Sequence, residues 1–362
     1  MGAVPLVEEL EAIGRAAGLD AVGVTSAEPF EGTRRILEER KAAGISADMQ
    51  FTYRNPARST DPGRALPGAR SLVVGARRYR LADPPPPAAA AGAVARYARA
   101  DHYGALRGSL DVVADHLRSR GWRARVVCDD NALVDREAAY RAGVGWYGKN
   151  ANLLLPGQGS WFVLGSVITD ALLDHAPAPV ADGCGTCTRC IDACPTGAIV
   201  APGVVDARRC LAWLVQASGS FPVEHRAALG DRIYGCDDCQ EVCPPNRAAD
   251  RRALPDAAPG DEAWVPLVEL LESGDDELLA RHGRWYIAGR DPRWLRRNAL
   301  VALGNVGDPA DATVTAVLER YAACDDELLA EHAVWARTRV RSRCKEPREA
   351  RLAAPRTEGG GA

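Results

Sequence analysis

Eight of the eleven cysteines in this 362-residue chain follow spacings that are typical of iron–sulfur proteins. In a run of the form C-x2-C-x2-C-x3-C-P, the first three cysteines bind one 4Fe–4S cluster and the fourth, just before proline, binds a second. The run from Cys184 to Pro195 has this form, and the run from Cys236 to Pro244 lacks one cysteine, which Cys210 can replace. The sequence therefore predicts two clusters, with ligands Cys184, Cys187, Cys190 and Cys243 for the first and Cys194, Cys210, Cys236 and Cys239 for the second.

Other uses of the cysteines are less favoured. Zinc also accepts four cysteine ligands, but zinc ribbons do not normally show the Cys-Pro endings found here. A disulfide framework is less favoured still, because a chain of this length can bury a core without covalent cross-links. The three other cysteines, Cys128, Cys324 and Cys344, are interpreted as ordinary small side chains.

The composition is that of a globular protein, with 47% hydrophobic and 26% charged residues. Because the formal net charge is −3, any site for a nucleic acid must be a local patch. No apolar run is long enough to span a membrane, and residues 1–10 lack the features of an export signal. Together with reduced thiolates, these features predict a cytoplasmic protein.

Helices and strands alternate over residues 1–175 and predict an α/β or α+β sandwich. The predicted elements are a helix over 4–19, strands at 21–25, 71–76 and 161–169, a helix around 106–117 and a strand that ends at Cys128. Residues 176–250 form the predicted cluster module, which metal–thiolate bonds hold together.

Beyond residue 251 the patterns indicate only helices. Asp291-Pro292 and Asp308-Pro309 are predicted to cap two of them. Short stacked helices over 251–345 are typical of HEAT repeats. Residues 346–362 are predicted to be a disordered tail.

The densest group of further candidate residues lies in the segment 129–161. It includes Asp129, Arg136 and a glycine-rich stretch from Gly143 to Asn150. Closely spaced glycines let a backbone approach a ligand, but from the spacing alone a plain helix–turn–strand connection is favoured. Although the glycines follow the order G-x-G-x-x-G, no strand leads directly into them, so they do not predict a dinucleotide site.

Short motifs extend over nearly the whole chain. The most specific are Ala142-Gly143-x-Gly145-Trp146-x-Gly148-Lys149-Asn150 and Gly235-Cys236-Asp237-Asp238-Cys239-Gln240-x-Val242-Cys243-Pro244. Others are Arg58-x-x-Asp61-Pro62, Leu66-Pro67-Gly68-Ala69, Tyr97-Ala98, Gly159-Ser160-Trp161, Arg297-Asn298-Ala299 and Ala302-Leu303-Gly304-Asn305. In this order the motifs resemble those of the epoxyqueuosine reductase family.

The resemblance implies an enzyme that reduces the epoxide of epoxyqueuosine to the alkene of queuosine at the wobble nucleotide of tRNA. It implies two 4Fe–4S clusters that feed cob(I)alamin. The implied architecture is α+β: an N-terminal cobalamin-binding sandwich akin to that of reductive dehalogenases, a bacterial-ferredoxin-like two-cluster module and HEAT-like helical repeats. The implied partners are the tRNA and an external low-potential electron donor of flavodoxin or ferredoxin type, and a monomer suffices.

Matching positions assigns Asp129 as the family's proton donor. An epoxide oxygen leaves poorly until it is protonated, so a carboxylic acid must lie nearby. Without the resemblance, an aspartate at a strand end is more simply a turn or cap residue, and Asp130 is an adjacent alternative. Arg136 matches a position that holds the substrate nucleotide. The positions that the resemblance places around the cobalamin are Arg58, Tyr97, Asp129, Lys149, Ser160, Cys236 and Asp237.

Three segments depart from the family pattern. Asp-Tyr-His reads Asp101-His102-Tyr103, Pro-x-x-Glu-Arg reads Ala132-x-x-Asp135-Arg136, and Pro-Trp-Asn reads Pro244-Pro245-Asn246. The first change predicts that His102 is shifted out of the pocket. Two other hypotheses stay open beside the preferred one: a related cobalamin-dependent reductase of another substrate, such as an organohalide, and an electron-transfer iron–sulfur protein.

The densest local patch for tRNA is the segment 281–297. It holds six arginines interleaved with Trp285, Tyr286 and Trp294. Arginines bind phosphates and aromatic rings stack on unpaired bases. An arginine-rich solvent face of a helix pair is an equally weighted interpretation.

Overall fold

The computed structural model of the chain describes residues 6–87, 89–174, 180–251, 254–255 and 260–343. Within these ranges the protein mixes helices and strands, which confirms a mixed α and β class. None of the described helices is long and apolar enough to cross a membrane. The predicted tail and Cys344 lie outside the described residues.

The helices are α1 (Leu6–Ala16), α2 (Glu31–Ala42), α3 (Phe51–Arg54), α4 (Pro56–Ser59), α5 (Pro62–Ala65), α6 (His102–Ser119), α7 (Asp135–Arg141), α8 (Arg189–Asp192), α9 (Leu211–Leu214), α10 (Val223–Leu229), α11 (Asp238–Glu241), α12 (Pro244–Asp250), α13 (Leu267–Glu272), α14 (Asp275–His282), α15 (Arg293–Val306), α16 (Ala312–Ala322) and α17 (Glu327–Arg343). The strands are β1 (Ala21–Ser26), β2 (Ser71–Arg78), β3 (Ala91–Val94), β4 (Ala124–Val127), β5 (Trp146–Tyr147), β6 (Leu153–Leu154), β7 (Phe162–Thr169), β8 (Ile199–Ala201), β9 (Val204–Val205), β10 (Arg232–Tyr234) and β11 (Trp264–Pro266). Short 3-10 helices lie at Arg96–Ala98 and Ala288–Arg290.

The main sheet is antiparallel, with strand order β1-β2-β7-β4. Successive side chains of a strand point to opposite faces. In β2 this sends Val73 toward helices α1 and α6, while Leu72 and Val74 pack on the side of helix α7. The predicted strands at 21–25, 71–76 and 161–169 are confirmed as β1, β2 and β7. Strand β4 ends two residues before Asp129, so the edge of this sheet positions that carboxyl.

A second, small sheet joins three distant segments of the chain. Its central strand, β3, pairs in parallel with β10 and antiparallel with β11. The strands approach so closely that a Cβ on Gly92 would lie 2.7 Å from the Cβ of Ile233. The prediction of helices alone beyond residue 251 is therefore wrong. Strand β11 has only three residues and ends in proline, so it carries no alternating pattern for the sequence to reveal.

Two predicted helix caps have different outcomes. At α15, the Asp291 carboxylate accepts the backbone N–H of Arg293 at 2.9 Å, so this aspartate caps the helix start. The cap predicted at Asp308 is wrong, because α16 begins later and Asp311 accepts the N–H of Thr313 at 2.8 Å. Asp308 and Asp311 can each begin a helix, and the prediction chose Asp308 because a proline follows it.

Candidate iron–sulfur and substrate site

The eight candidate cluster ligands form two neighbouring sets. Burial is the main reason that the pKa of the Cys243 thiol is raised to about 11, and the other thiols that contribute are those of Cys184, Cys190 and Cys187. In the second set, the Cys194 thiol helps to raise the pKa of Cys210. The Cys210 thiol helps to raise the pKa of Cys236 and of Cys239. Such influence requires proximity, and Cys190 also acts on Cys239, so the two sets adjoin.

These neighbours fit the two predicted ligand sets, since a 4Fe–4S cluster takes four thiolates. Among the described residues, no three His, Cys, Asp or Glu side chains lie close enough together to bind a single metal ion. The thiols of each set are therefore neighbours, but their sulfur atoms do not converge on one point. The assignment of each cysteine to its cluster stays a prediction.

The glycine-rich stretch 143–150 braces the cluster loops. Trp146 packs against Cys184 and Cys243. The Lys149 ammonium donates to the carbonyl of Gly185 at 2.7 Å, and Asn150 donates to a carbonyl of the second cysteine run at 3.2 Å. The stretch is thus the tight connection from α7 into the β5–β6 hairpin, and the described contacts of Lys149 are with a cluster loop.

Buried polar side chains fasten the end of the β6–β7 connection to the second cysteine run. The Ser160 hydroxyl donates to the Gln240 side-chain carbonyl at 2.9 Å, and its backbone N–H donates to Asn246 Oδ1 at 2.6 Å. Asn246 Nδ2 in turn donates to the carbonyl of Gln240 at 2.8 Å. All three residues are buried. The hydroxyl of Ser160, a candidate cofactor contact, is therefore already engaged within the protein.

Asp237 is held from the N-terminal part of the chain. The backbone N–H of Arg96 donates to Asp237 Oδ2 at 2.8 Å, and the Arg96 guanidinium lies 3.5 Å from the same oxygen. Burial raises the pKa of Asp237, and the charge of Arg96 opposes that shift. Arg96 also pairs with Asp83 at 2.7 Å. The contact between Arg96 and Asp237 links the segment before α6 to the loop between Cys236 and Cys239.

The Asp129 side chain is free and exposed. The residue has a positive φ of 51°, which non-glycine residues rarely adopt. Within the described residues no hydrogen bond engages its carboxyl, whereas the Asp130 carboxyl accepts the N–H of Ala132 in a turn. Desolvation by the surrounding protein raises the pKa of Asp129. The charge of Asp130 raises it further, while the charge of Arg107 lowers it.

Three tyrosines lie in the same region as Asp129, and we call the four residues the tyrosine–aspartate site: Asp129, Tyr97, Tyr103 and Tyr234. Burial raises the pKa of Tyr103 and of Tyr234, and the charge of Asp129 contributes to both shifts. The rings of Tyr97 and Tyr234 lie 6.4 Å apart, and Gln216 donates to the Tyr97 hydroxyl at 3.3 Å. The site thus brings α6, the loop after β4 and strand β10 together, and β10 ends two residues before Cys236.

Sequence reasoning missed two members of this site. Tyr234 stands directly before the Gly-Cys-Asp-Asp-Cys motif, so its place in that motif was a usable signal. Tyr103 lies in the segment that departs from the family pattern. The charge of Asp129 helps to raise the pKa of Tyr103, while His102 packs against Tyr79, with ring centroids 5.6 Å apart. The exchange of the two residues therefore leaves a phenol rather than an imidazole next to Asp129.

Arg58 and Arg136 flank the loop that carries Asp129. Arg58 lines a cavity of about 240 Å³ together with Arg54, Asn55 and Asn131. The Asn131 side-chain oxygen is buried there with no hydrogen-bond partner among the described residues. Arg136 is exposed on α7 and donates to the carbonyl of Ala151 at 2.6 Å.

The arginines of the segment 281–297 are engaged within the protein. Their partners are Glu262 and Glu269 for Arg281, the carbonyls of Ala98 and Arg99 for Arg284, the carbonyl of Gly283 for Arg290, Asp291 and Asp326 for Arg293, Asp275 for Arg296, and the carbonyls of Leu214, Ala217 and Gly219 for Arg297. Trp285 and Trp294 are buried, and only Tyr286 is largely exposed among the three aromatic residues. The segment is therefore mainly structural.

Comparison with known proteins decides the family. Residues 183–246 match the model of the 4Fe-4S double cluster binding domain. The epoxyqueuosine reductase of Bacillus subtilis is 34% identical to this chain over 316 residues, which cover 85% of this chain and 81% of the relative. The chain belongs to the epoxyqueuosine reductase family.

Solved epoxyqueuosine reductases share the whole fold. A crystal structure of one with an epoxyqueuosine-modified tRNA-Tyr stem loop is similar to this chain with a TM-score of 0.81 and 31% identity, over 96% of each chain. A structure of the Bacillus subtilis enzyme with its catalytic aspartate loop swung out of the active site has a TM-score of 0.80 and 30% identity, over 98% of this chain and 95% of the other. This family member thus carries a double 4Fe–4S domain that spans every predicted cluster ligand, and the zinc alternative is set aside.

Proposed function

We propose that this protein reduces epoxyqueuosine to queuosine at the wobble nucleotide of tRNA. The observation that carries the proposal is the position of Asp129, whose charge acts on Tyr234, two residues before Cys236. A candidate proton donor and the end of a candidate electron route therefore share one site. The relatives named above support the substrate, and one of them was crystallised with an epoxyqueuosine-modified stem loop.

Conversion of an epoxide to an alkene consumes two electrons and two protons and releases the oxygen as water. When bound, the two 4Fe–4S clusters supply single electrons, and cobalamin supplies a strongly reducing, nucleophilic centre for the epoxide carbon. The eight cysteines of the two sets would hold the clusters. Asp129 would then supply a proton, and the cysteine-bound clusters would supply electrons from another part of the same site.

The residues around the tyrosine–aspartate site fit the corrin ring of cobalamin, which is large and flat and carries amide side chains. Tyr97, which is only partly buried, offers a flat ring beside Gly235, the residue before Cys236, and the charge of Asp129 acts on the neighbouring Tyr234. Asn131 has an unpartnered buried oxygen that can accept an amide N–H. Arg58, which lines the same cavity, can donate to a phosphate. Arg58, Tyr97 and Cys236 therefore remain our proposed cofactor contacts, whereas Lys149, Ser160 and Asp237 act through the loops that they hold.

Asp129 supplies the proton for the epoxide oxygen. Because its surroundings raise its pKa, the carboxyl stays protonated to higher pH than an ordinary aspartic acid. Because no hydrogen bond from the described residues engages the Asp129 carboxyl, it is free to donate to the epoxide oxygen. We assign Arg136, exposed on the adjacent helix α7, to hold the substrate nucleotide.

We propose the same division of the chain as the sequence predicts. Residues 1–175 form a cobalamin and substrate domain similar to that of reductive dehalogenases, residues 176–250 a ferredoxin-like module, and residues 251–345 HEAT-like helices. The further partner is a low-potential electron donor of flavodoxin or ferredoxin type, and the protein works as a cytoplasmic monomer.

The test compares Asp129→Asn with Asp115→Asn, which changes an exposed carboxyl on the outer side of α6. Protein with both cofactors and an artificial reductant is mixed with a stem loop that contains epoxyqueuosine, and mass spectrometry follows the loss of one oxygen atom. Loss of a positioned general acid lowers such rates by roughly 100- to 10,000-fold. Asp115→Asn is expected to match the wild type. Full activity of Asp129→Asn would remove the proposed proton donor.

A further inference from the structure

One aromatic ring of the segment 281–297 is presented to solvent. Tyr286 is 48% exposed, whereas Trp285 and Trp294 in the same segment are 4% and 7% exposed. The ring is one of the large hydrophobic side chains left uncovered by the fold. Among the three aromatic side chains of the segment, the exposure is therefore confined to Tyr286.

The exposed ring is rigidly backed. The ring of Trp213, which is buried, stacks against Tyr286 with centroids 6.4 Å apart and planes 28° apart. One face of Tyr286 is thus covered by Trp213, which follows Cys210 by three residues. An aromatic ring fixed in this way loses little conformational entropy when a second flat group stacks on its open face.

The backbone of Tyr286 ties the ring to the edge of the tyrosine–aspartate site. Its N–H donates to the Tyr234 hydroxyl at 2.8 Å, and its carbonyl accepts from that hydroxyl at 3.3 Å. The ring of Tyr234 in turn stacks on Trp285 with centroids 4.5 Å apart. The backbone that carries the exposed ring of Tyr286 is therefore fixed to Tyr234, a member of the tyrosine–aspartate site.

An open aromatic face beside a site for a tRNA nucleotide suits a nucleobase. Every base has a flat π-face that stacks on aromatic side chains, and unpaired loop bases are the ones free to do so. The nearby Arg284 and Arg290 bind backbone carbonyls of the protein, so the exposed ring, rather than a free arginine, is what this segment presents to a nucleic acid. We propose that Tyr286, backed by Trp213, is a stacking platform for an unpaired base next to the modified nucleotide in the tRNA loop, an inference that rests on the proposed function.

The test measures stem-loop binding and base stacking, independently of turnover. Affinity is measured by fluorescence anisotropy for the cofactor-loaded wild type, Tyr286→Ala, Tyr286→Leu and Tyr286→Phe. Leucine still covers Trp213 but has no flat aromatic face, so it separates stacking from simple packing. Tyr286→Ala and Tyr286→Leu are expected to weaken binding roughly 10-fold, and Tyr286→Phe less than about twofold. The fluorescence of 2-aminopurine, placed in turn at each loop position beside the wobble nucleotide, identifies the stacked base by its quenching.

Trp122→Ala is the matched control. Trp122 is 42% exposed. It follows the C-terminal end of α6, whereas Tyr103 of the tyrosine–aspartate site lies at the N-terminal end, and the 18 residues of this helix are about 27 Å long. This variant is expected to bind the stem loop as the wild type does. A thermal melt of each Tyr286 variant checks that the protein remains folded.

The outcomes separate the platform from the function. If the wild type reduces the stem loop while Tyr286→Ala and Tyr286→Leu bind it equally well, the platform is wrong and the function stands. If the variants bind cobalamin more weakly but RNA normally, the ring contacts the cofactor and the platform is again wrong. If the wild type binds the stem loop through Tyr286 but does not reduce it, the proposed function fails and the platform stands. A wild type that binds no stem loop overturns both.

Discussion

Two adjacent aspartates receive different tasks at the scale of the residue. The Asp130 carboxyl is occupied by the backbone N–H of Ala132 and shapes the turn. The Asp129 carboxyl is free of hydrogen bonds within the described chain and faces Tyr103 and Tyr234. The sequence alone leaves the choice between them open, because a shift of one position exchanges them. The turn geometry favours Asp129.

The pH dependence of the single-turnover rate should report the surroundings of Asp129. The acid must be protonated, so the rate is expected to fall as pH rises through its raised pKa. Asp130→Asn removes a charge that raises this pKa and should move the fall to lower pH. Arg107→Gln removes a charge that lowers it and should move the fall to higher pH. Shifts of both variants in the same direction would speak against Asp129 as the acid.

At the scale of the element, a turn of the N-terminal part is pressed against the cluster module. Gly159 has a φ of 77°, and a Cβ there would collide with the side chain of Asn246. Asn246 lies in α12, directly after Cys243 and two prolines, and it is completely buried. The contact between the turn and this asparagine therefore holds the loop of a cluster ligand.

Alanine substitution at two glycines of this turn separates backbone strain from the contact. Gly157 also has a positive φ, of 69°, but a Cβ there would meet open space. Gly157→Ala should cost about 1–2 kcal/mol of unfolding free energy from backbone strain alone. Gly159→Ala should cost roughly 1–3 kcal/mol more, because Asn246 must move. Thermal unfolding and iron content measure the effect, and equal losses for the two variants would show that the contact with Asn246 does not matter.

The sequence predicted individual elements better than it predicted contacts between them. Strands β1, β2 and β7 follow from apolar runs with turn residues at their ends. Strand β11 and the pairing of Ser160 with Asn246 could not be predicted, because spacing along the chain does not tell which residue lies opposite 86 positions later. The arginines of 281–297 were open to two interpretations for the same reason, since acceptors such as the carbonyls of Ala98 and Ala217 lie in distant segments.

At the scale of the whole molecule, the C-terminal helices lock onto the cluster module. The fully buried Arg226 of α10 pairs with Glu331 of α17 at 2.7 Å. Beside it, His332 Nε2 accepts the backbone N–H of Phe221 at 3.0 Å, while its Nδ1 lies 2.7 Å from the carbonyl of Leu328. This arrangement requires a neutral imidazole, with its proton on Nδ1.

Acidification should loosen this junction. Burial lowers the pKa of His332, and Arg226 adds to the shift while Glu331 opposes it. A histidine with a lowered pKa contributes stability that is present above its ordinary pKa of about 6.5 and is lost as pH falls below it. Hydrogen exchange of the α17 amides, corrected for intrinsic rates, should therefore speed up as pH falls from about 6.5 toward the pKa of about 4 that His332 has in the folded protein.

Two histidine variants check the source of this effect. His332→Gln should remove the acid-dependent increase, and His225→Gln, on α10 of the same module, should keep it. An increase that persists in His332→Gln would assign the junction's acid sensitivity to other groups. Glu331 is a poor candidate over this range, because its pKa is lowered by Arg226.

The most direct test of the account is the fate of the epoxide in RNA. Protein with a full complement of iron and bound cobalamin is given a reductant and a stem loop that carries epoxyqueuosine, with Cys239→Ser and an organohalide as parallel controls. The account predicts that the wild type removes one oxygen atom from the modified base, that Cys239→Ser does not, and that the organohalide is left intact. A fully loaded protein that leaves the epoxide unchanged would contradict it.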